Sequence, residues 1–379
     1  MRTIANWRIR TFGCCLILAT ALTFLLPSSS KSNVLFEAAL NGGYTDNLLS
    51  DSTGLIDKYS VASGMVRWYP VSTLELSVNG DWTLYDRVAA MSNRLGRVGL
   101  TYIPLKATSR LSIYANAAFD GRRYHSELSY YDLNTLDSRI TTGYRFGEVA
   151  TLRWGVGFRD YAYLATESGD REMLETFVGL NTTPFGRNSF DIEAGYGSMD
   201  YEHVKSNLIF VNPQHPERSL TDSKLKSFYV SPRWSRPLDE KNGISVTFSY
   251  RTFMNTDEGI VFGSSIGLLS PWTAVWEGTS IAATLKSYLI PQTITTLGCG
   301  YWNRHHLPTI ESDNFPIVMG RERDDDQVRA FLQVMRPFTT GSGQLIQPRL
   351  TLEYTNNNSS NELFEYSAMV ISTGISFRY

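Results

Sequence analysis

The sequence has little cysteine, and this shortage narrows the cofactors that the chain can hold. Only 3 of its 379 residues are cysteine, and Cys14 and Cys15 lie in an N-terminal apolar segment. The remaining Cys299 can form neither an internal disulfide nor a multi-cysteine metal cage, and no C-x-x-C-H run exists for covalent haem attachment. We therefore expect no cofactor and no metal bound by the chain itself.

The sequence also lacks a large excess of either positive or negative charge. The formal net charge is −2 and charged residues make up 19% of the chain, which argues against a nucleic-acid binder. Beyond the N-terminal segment, no run approaches the roughly 18 apolar residues of a transmembrane helix. Aromatic residues are abundant instead, at 13% with 21 Tyr and 8 Trp.

The first thirty residues have the order of a secretory signal peptide. Basic residues come first, an apolar run follows over 12–26, and small residues close the segment. The basic and closing residues are Arg2, Arg8 and Arg10, then Pro27 and Ser28–Ser30. We predict a signal peptide over 1–30 and a single domain over 31–379; the alternative is one membrane-anchoring helix.

From residue 34 onward apolar residues alternate with polar ones. In the run 73–84, Leu74, Leu76 and Val78 fall on one face, and Glu75 and Asp81 fall on the other. This period of two predicts strands with one apolar and one polar face. Its length of about ten residues is what a tilted transmembrane strand requires.

The pattern recurs about sixteen times, an even number. The predicted strands cover 33–44, 58–69, 73–84, 94–104, 109–119, 137–147, 149–160, 172–183, 188–199, 224–235, 242–253, 276–289, 293–303, 326–337, 344–355 and 364–379. Short turns alternate with longer loops, of which 200–223, 254–275 and 304–325 are the longest. In lipid every backbone N–H and C=O must be paired internally, so the first and last strands must meet. We predict an all-β, antiparallel up-and-down transmembrane barrel with both termini periplasmic.

The final residues match a known pattern: a polar residue, then Gly, a hydrophobe and a terminal aromatic. Ser372, Gly374, Phe377 and Tyr379 occupy these positions. The segment resembles the C-terminal β-signal of bacterial outer-membrane proteins, and the whole chain resembles porin-like barrels in its architecture. The resemblance implies location in the outer membrane, contact with its lipid, and capture by the barrel-assembly machinery.

Twelve charged residues on the polar faces of the strands are candidates for the pore lining. They are Arg97, Arg139, Arg145, Arg153, Arg159, Arg233, Arg251, Arg329, Arg349, Glu75, Asp81 and Glu353. Basic residues dominate this set, and a basic excess along a water-filled bore concentrates anions. The hypothesis is a mild anion preference; the alternative is that these charges pair across the bore as scaffolding.

No enzymatic site emerges, so we expect no catalytic activity. His305 and His306, with Glu311 and Asp313 nearby, could bind a metal, but adjacent histidines on an extended chain point apart. A solvated loop is the favoured interpretation there. The run Asp324–Asp326 lacks the spaced oxygens of a calcium loop and is interpreted as a charged outer rim.

Three functions stay open at this point. The first is passive passage of small polar or anionic solutes through a porin-like channel, because about sixteen strands leave an aqueous lumen. The second is a haem-free sheath that encloses multihaem cytochromes in an electron conduit, since the chain resembles, weakly, the barrels of porin-cytochrome conduits. The third is a polysaccharide export channel, which would also use a charged bore.

Overall fold

The computed structural model describes residues 34–104, 109–164, 171–183, 187–200, 224–254, 260–261, 276–306, 309–310 and 323–379. The predicted signal peptide lies outside this part of the chain, so its cleavage and the domain start at residue 31 stay predictions. No helix among the described residues is both long and apolar enough to cross a membrane.

Sixteen long strands form the wall of the molecule. They are β1 Val34–Thr45, β2 Asp57–Val71, β3 Leu74–Tyr85, β4 Asn93–Tyr102, β5 Leu111–Tyr124, β6 Leu133–Phe146, β7 Ala150–Tyr163, β8 Arg171–Thr182, β9 Ser189–Asp200, β10 Lys224–Pro237, β11 Asn242–Phe253, β12 Trp276–Ser287, β13 Ile294–His306, β14 Arg323–Met335, β15 Leu345–Ser359 and β16 Tyr366–Arg378. Two shorter segments, Ile260–Val261 and Thr309–Ile310, pair in parallel with each other. A third, Phe338–Thr339, pairs with β15 beside a turn.

Each long strand pairs antiparallel with the next, and β1 also pairs with β16. This seam runs from Glu37 opposite Arg378 to Thr45 opposite Val370. The backbones of Phe36 and Tyr379 extend it by exchanging two N–H···O bonds of 2.9 Å. The sheet therefore has no unpaired edge, as a membrane-spanning wall requires. The predicted closed barrel of sixteen antiparallel strands is confirmed.

The connections alternate between the two ends of the barrel. Short turns, such as 72–73 and 238–241, join strands at one end, which we call the turn end. Longer connections, such as 46–56, join them at the other, which we call the loop end. β1 begins and β16 ends at the turn end, because the two strands run antiparallel along the seam. That the turn end faces the periplasm stays a prediction.

The strands extend further toward the loop end than their sequence pattern indicates. β5 continues to Tyr124 and β15 to Ser359, several residues past their predicted ends at 119 and 355. The predicted positions of the turns and the number of long strands agree with the structure. In the added segments 120–123 of β5 and 356–359 of β15, side chains on both faces are polar or absent, so the alternation fades while the pairing continues.

Candidate functional site

The twelve predicted pore-lining residues lie on one face of the wall, which we call the charged face. The ladder registers carry this face from strand to strand, with Asn79 opposite Arg97, and with Arg329 opposite Thr355. The other, apolar face exposes large hydrophobic side chains. Examples are Val78, Val98, Phe119, Ile140, Trp154, Val178, Phe248, Ile281, Leu297, Val328 and Phe377.

On β4 to β7 the charged face carries neighbouring ion pairs. Arg97 lies 3.2 Å from a carboxylate oxygen of Asp120. Arg159 contacts Asp137 at 2.6 Å through Nη2 and donates a second hydrogen bond from Nε at 2.9 Å. Such two-pronged contacts fix a guanidinium against its carboxylate. Both arginines are therefore neutralised by the wall that carries them.

A larger network follows on β6 to β9. Arg153 donates to both carboxylate oxygens of Asp191, at 3.0 and 2.8 Å. It also lies 3.9 Å from Glu193, which Arg139 approaches at the same distance. Arg139 stacks over the Phe177 ring, 4.1 Å from its centroid. Two basic and two acidic groups thus balance within one patch of the charged face.

Some of these contacts reach past neighbouring strands. Arg139 on β6 and Glu193 on β9 are separated in the sheet by β7 and β8. The hydroxyl of Tyr229 on β10 lies 2.9 Å from Glu193 on β9 and 2.9 Å from Glu175 on β8. A hydroxyl has one hydrogen, so it donates to one carboxylate at a time.

Glycines on the charged face make room for large side chains to lie along the wall. A Cβ at Gly195 would overlap the Tyr229 ring, and a Cβ at Gly300 would lie 2.5 Å from Cη2 of Trp302. Both rings therefore lie over the neighbouring glycine backbone.

The face changes character on β11 to β14, where aromatic rings lie beside several of the arginines. Arg251 lies over the Trp276 ring, 5.8 Å from its centroid, and Arg304 lies over the same ring at 5.2 Å. Arg329 lies 5.6 Å from the centroid of Trp302. Cation–π contacts hold a guanidinium in place without removing its charge. This part of the charged face is therefore basic.

The remaining predicted residues are spread around the barrel. Arg349 on β15 donates to the side chain of Asn41 on β1 at 2.9 Å, across β16. Glu75 lies 3.7 Å from Arg67, which belongs to the neighbouring strand. Arg145, Arg233, Asp81 and Glu353 complete the set on the charged face.

The comparisons with known proteins agree with this architecture. No family model matches the sequence, and no curated protein matches it. Among solved structures, OccAB3 of Acinetobacter baumannii is similar with a TM-score of 0.50 and 8% identity, over 91% of this chain and 99% of that one. CdiB of the same species is similar with a TM-score of 0.53 and 10% identity, over 92% of this chain and 61% of that one. The chain has a porin-like outer-membrane barrel fold.

In this outer-membrane barrel fold the predicted assembly residues lie at the seam. Ser372 and Gly374 pair with Gly43 and Asn41 of β1. Phe377 lies on the apolar face, 40% exposed. The role of these residues in assembly stays a prediction, but the structure shows that the same segment closes the barrel.

The loop end of the barrel holds a buried ionic cluster that the sequence interpretation missed. Asp325 contacts Arg323 at 2.9 Å and His306 at 3.1 Å. All three side chains are buried, with Asp325 only 3% exposed. The prediction of a solvated loop at His306 is therefore wrong, because His306 is buried in a paired strand. Of the predicted charged rim, Asp324 and Asp326 are exposed at the loop end, whereas Asp325 is buried.

The other residues considered for a metal site are His305, Glu311 and Asp313. His305 points away from His306, onto the other face, where it contacts the exposed Asp324 at 2.8 Å. Glu311 and Asp313 lie outside the described residues. Among the residues that the structure describes, no group of three His, Cys, Asp or Glu side chains has the arrangement of a metal site.

A second buried carboxylate, that of Asp57, holds a connection at the loop end. Its oxygens accept hydrogen bonds from the backbone N–H groups of Lys58, Asp86, Arg87 and Val88, at 2.6, 3.1, 2.9 and 2.9 Å. Asp57 is 1% exposed. It therefore ties the β3–β4 connection to the start of β2.

Proposed function

We propose that the chain forms a passive channel in the bacterial outer membrane, which passes small polar solutes and favours anions. A closed barrel of sixteen strands is wide enough to leave an aqueous bore. Its apolar face suits contact with lipid hydrocarbon.

The long-range contacts on the charged face carry this proposal. Side chains on the concave side of a closed wall converge, whereas side chains on the convex side diverge. The contact of Arg139 with Glu193 spans three steps of the sheet, and that of Tyr229 with Glu175 spans two. Contacts that span two or three strands support a charged face that points into the bore and an apolar face that points into lipid.

Aromatic side chains near the strand ends support the membrane setting. Several of them are exposed on the apolar face close to the turn end, as expected for an interfacial girdle. They are Trp68, Tyr102, Trp154, Trp234 and Tyr379.

The anion preference rests on where the acids lie. Arg97, Arg153 and Arg159 have carboxylate partners, so the scaffolding alternative describes that side of the bore. On β13 and β14, Arg304 and Arg329 have aromatic neighbours instead. Charge neutralised in pairs attracts few mobile ions, whereas uncompensated charge in a narrow bore concentrates counter-ions.

Liposome swelling tests the channel. Purified, refolded protein in liposomes should admit small sugars and the sodium salts of small organic acids within seconds, while protein-free liposomes should not swell. The anionic solute should enter faster than a cationic solute of similar size. Impermeable proteoliposomes that contain correctly folded barrel would contradict the channel.

The same preparation separates the alternatives. A multihaem sheath predicts that cytochromes co-purify with the barrel from the native outer membrane and are visible by haem staining. A polysaccharide exporter predicts that polymer accumulates in the periplasm when the chain is deleted. A barrel that purifies alone and conducts small solutes supports the passive channel.

A further inference from the structure

Arg304 and Arg329 differ from the other arginines discussed above. They lie on adjacent strands, β13 and β14, and both approach the indole of Trp302, at 6.0 and 5.6 Å from its centroid. The Nε atoms of both guanidinium groups are buried and have no hydrogen-bond partner among the residues that the structure describes, as is also the case for Arg153. No carboxylate among the described residues forms an ion pair with either of them.

The acid opposite Arg304 is already engaged. Asp325 lies opposite Arg304 in the strand register, but its carboxylate contacts Arg323 and His306. A partly buried guanidinium without a counter-ion carries a desolvation cost that a bound anion would offset. Neither guanidinium thus forms an ion pair with a carboxylate of the described wall.

We propose that Arg304 and Arg329, with the Trp302 ring that both approach, form a binding subsite for a small oxyanion, either a carboxylate or a phosphate. The planar guanidinium fork matches the oxygen geometry of both groups. Trp302 lies over Gly300, where a side chain would displace it. The ring therefore forms a flat wall beside the two cations.

This subsite would deepen the proposed channel function, since a weak site along a conduction path selects the ions that pass. The role of the subsite rests on the proposed channel function, but anion binding to the subsite can be measured without measuring conduction. The saturable binding of a small oxyanion distinguishes it from the diffuse attraction of a basic bore.

Isothermal titration calorimetry on the detergent-solubilised barrel tests the subsite at constant ionic strength. Potassium phosphate and sodium benzoate are titrated separately, so the two arms distinguish the phosphate from the carboxylate source. We expect saturable heat from at least one of them. Arg304→Gln and Arg329→Gln should each weaken that binding about tenfold or more, because a charge-assisted contact is lost.

Arg159→Gln is the matched control. It removes one positive charge from the same face, but Asp137 already holds that guanidinium. Binding in this variant should stay within about twofold of wild type, since diffuse electrostatics contribute little at fixed salt. Circular dichroism and heat-modifiable gel mobility verify that each variant is folded.

Two results would overturn the subsite: no saturable heat with either anion, or an equal loss of affinity in Arg159→Gln. Bilayer conductance of the same samples separates this failure from that of the channel. Binding without conductance would refute the channel and keep the subsite. Conductance without binding would refute the subsite and keep the channel.

Discussion

Replacing Asp57 by Asn should release the β3–β4 connection from the loop end while leaving the barrel intact. The carboxylate accepts four backbone N–H bonds in a nearly inaccessible position. Asn removes the negative charge and replaces one acceptor oxygen by an amide group that can only donate. The N–H groups that faced that oxygen lose their partner.

The size of the effect follows from these bonds. A hydrogen bond to a charged group contributes about 1.5–3 kcal/mol, and some of the loss is recovered by water at a barrel mouth. We expect the free energy that holds this connection closed to fall by about 3 kcal/mol. Since about 1.4 kcal/mol is a factor of ten, the open population should rise about a hundredfold.

Limited trypsin digestion of the folded barrel in detergent measures this opening. The bond after Arg87 lies within the connection that Asp57 holds, and mass spectrometry quantifies its cleavage separately from other sites. When opening is rapid relative to cleavage, the rate follows the open population. Asp239→Asn, the same substitution in a turn-end connection, is the control. Cleavage after Arg87 at the wild-type rate in Asp57→Asn would refute the reasoning.

Three further predictions concern other parts of the barrel. Gly195→Ala places a Cβ against the Tyr229 ring and should lower the free energy of unfolding, measured in urea, by about 1–3 kcal/mol. Gly64→Ala is the control and should cost less, because no heavy atom lies within 4 Å of its Cβ. Equal losses in the two variants would contradict this. Deleting Tyr379 removes both backbone bonds to Phe36 and should reduce the folded, heat-modifiable fraction in cells, so unchanged assembly would argue against a role for the terminal residue. Hydrogen bonds from Asn242 and the backbone of Lys241 lower the pKa of Asp239 below its ordinary 3.8; the stabilisation of its turn should persist above pH 3.8 and disappear as pH falls through the lowered pKa, which amide exchange measured against pH would show.

The architecture could be predicted because it rests on local information. Alternation of side chains along a strand is a property of neighbouring residues, so Leu74, Glu75 and their followers reveal both faces without any tertiary knowledge. The turns between strands carry their own signals. Closure then follows from the demand that every backbone group in lipid be paired.

The loop end was harder to predict because its strands leave the pattern that identifies them. His306 and Asp325 lie in paired strands whose two faces are both polar, so their alternation disappears. Burial of an ionic cluster depends on partners from two strands. In the sequence, the histidine and the aspartate are separated by a long connection and resemble solvated loop.

The balance of charge on the charged face could not be predicted either. Sequence places Arg153, Arg159 and Arg329 on the same face, and nothing local distinguishes them. The structure gives the first two carboxylate partners, Asp191 and Asp137, and gives Arg329 an indole. These partners depend on register and on wall curvature, which bring side chains from different strands together.

The reversal potential of single channels in a planar bilayer, under a tenfold KCl gradient, tests the central claim most directly. If uncompensated arginines face the bore, the channel should be chloride-selective, and the reversal potential should have the sign of the chloride equilibrium potential. The double variant Arg304→Gln, Arg329→Gln should move the reversal potential toward zero. A reversal potential set by potassium, or a folded barrel that does not conduct, would contradict the account.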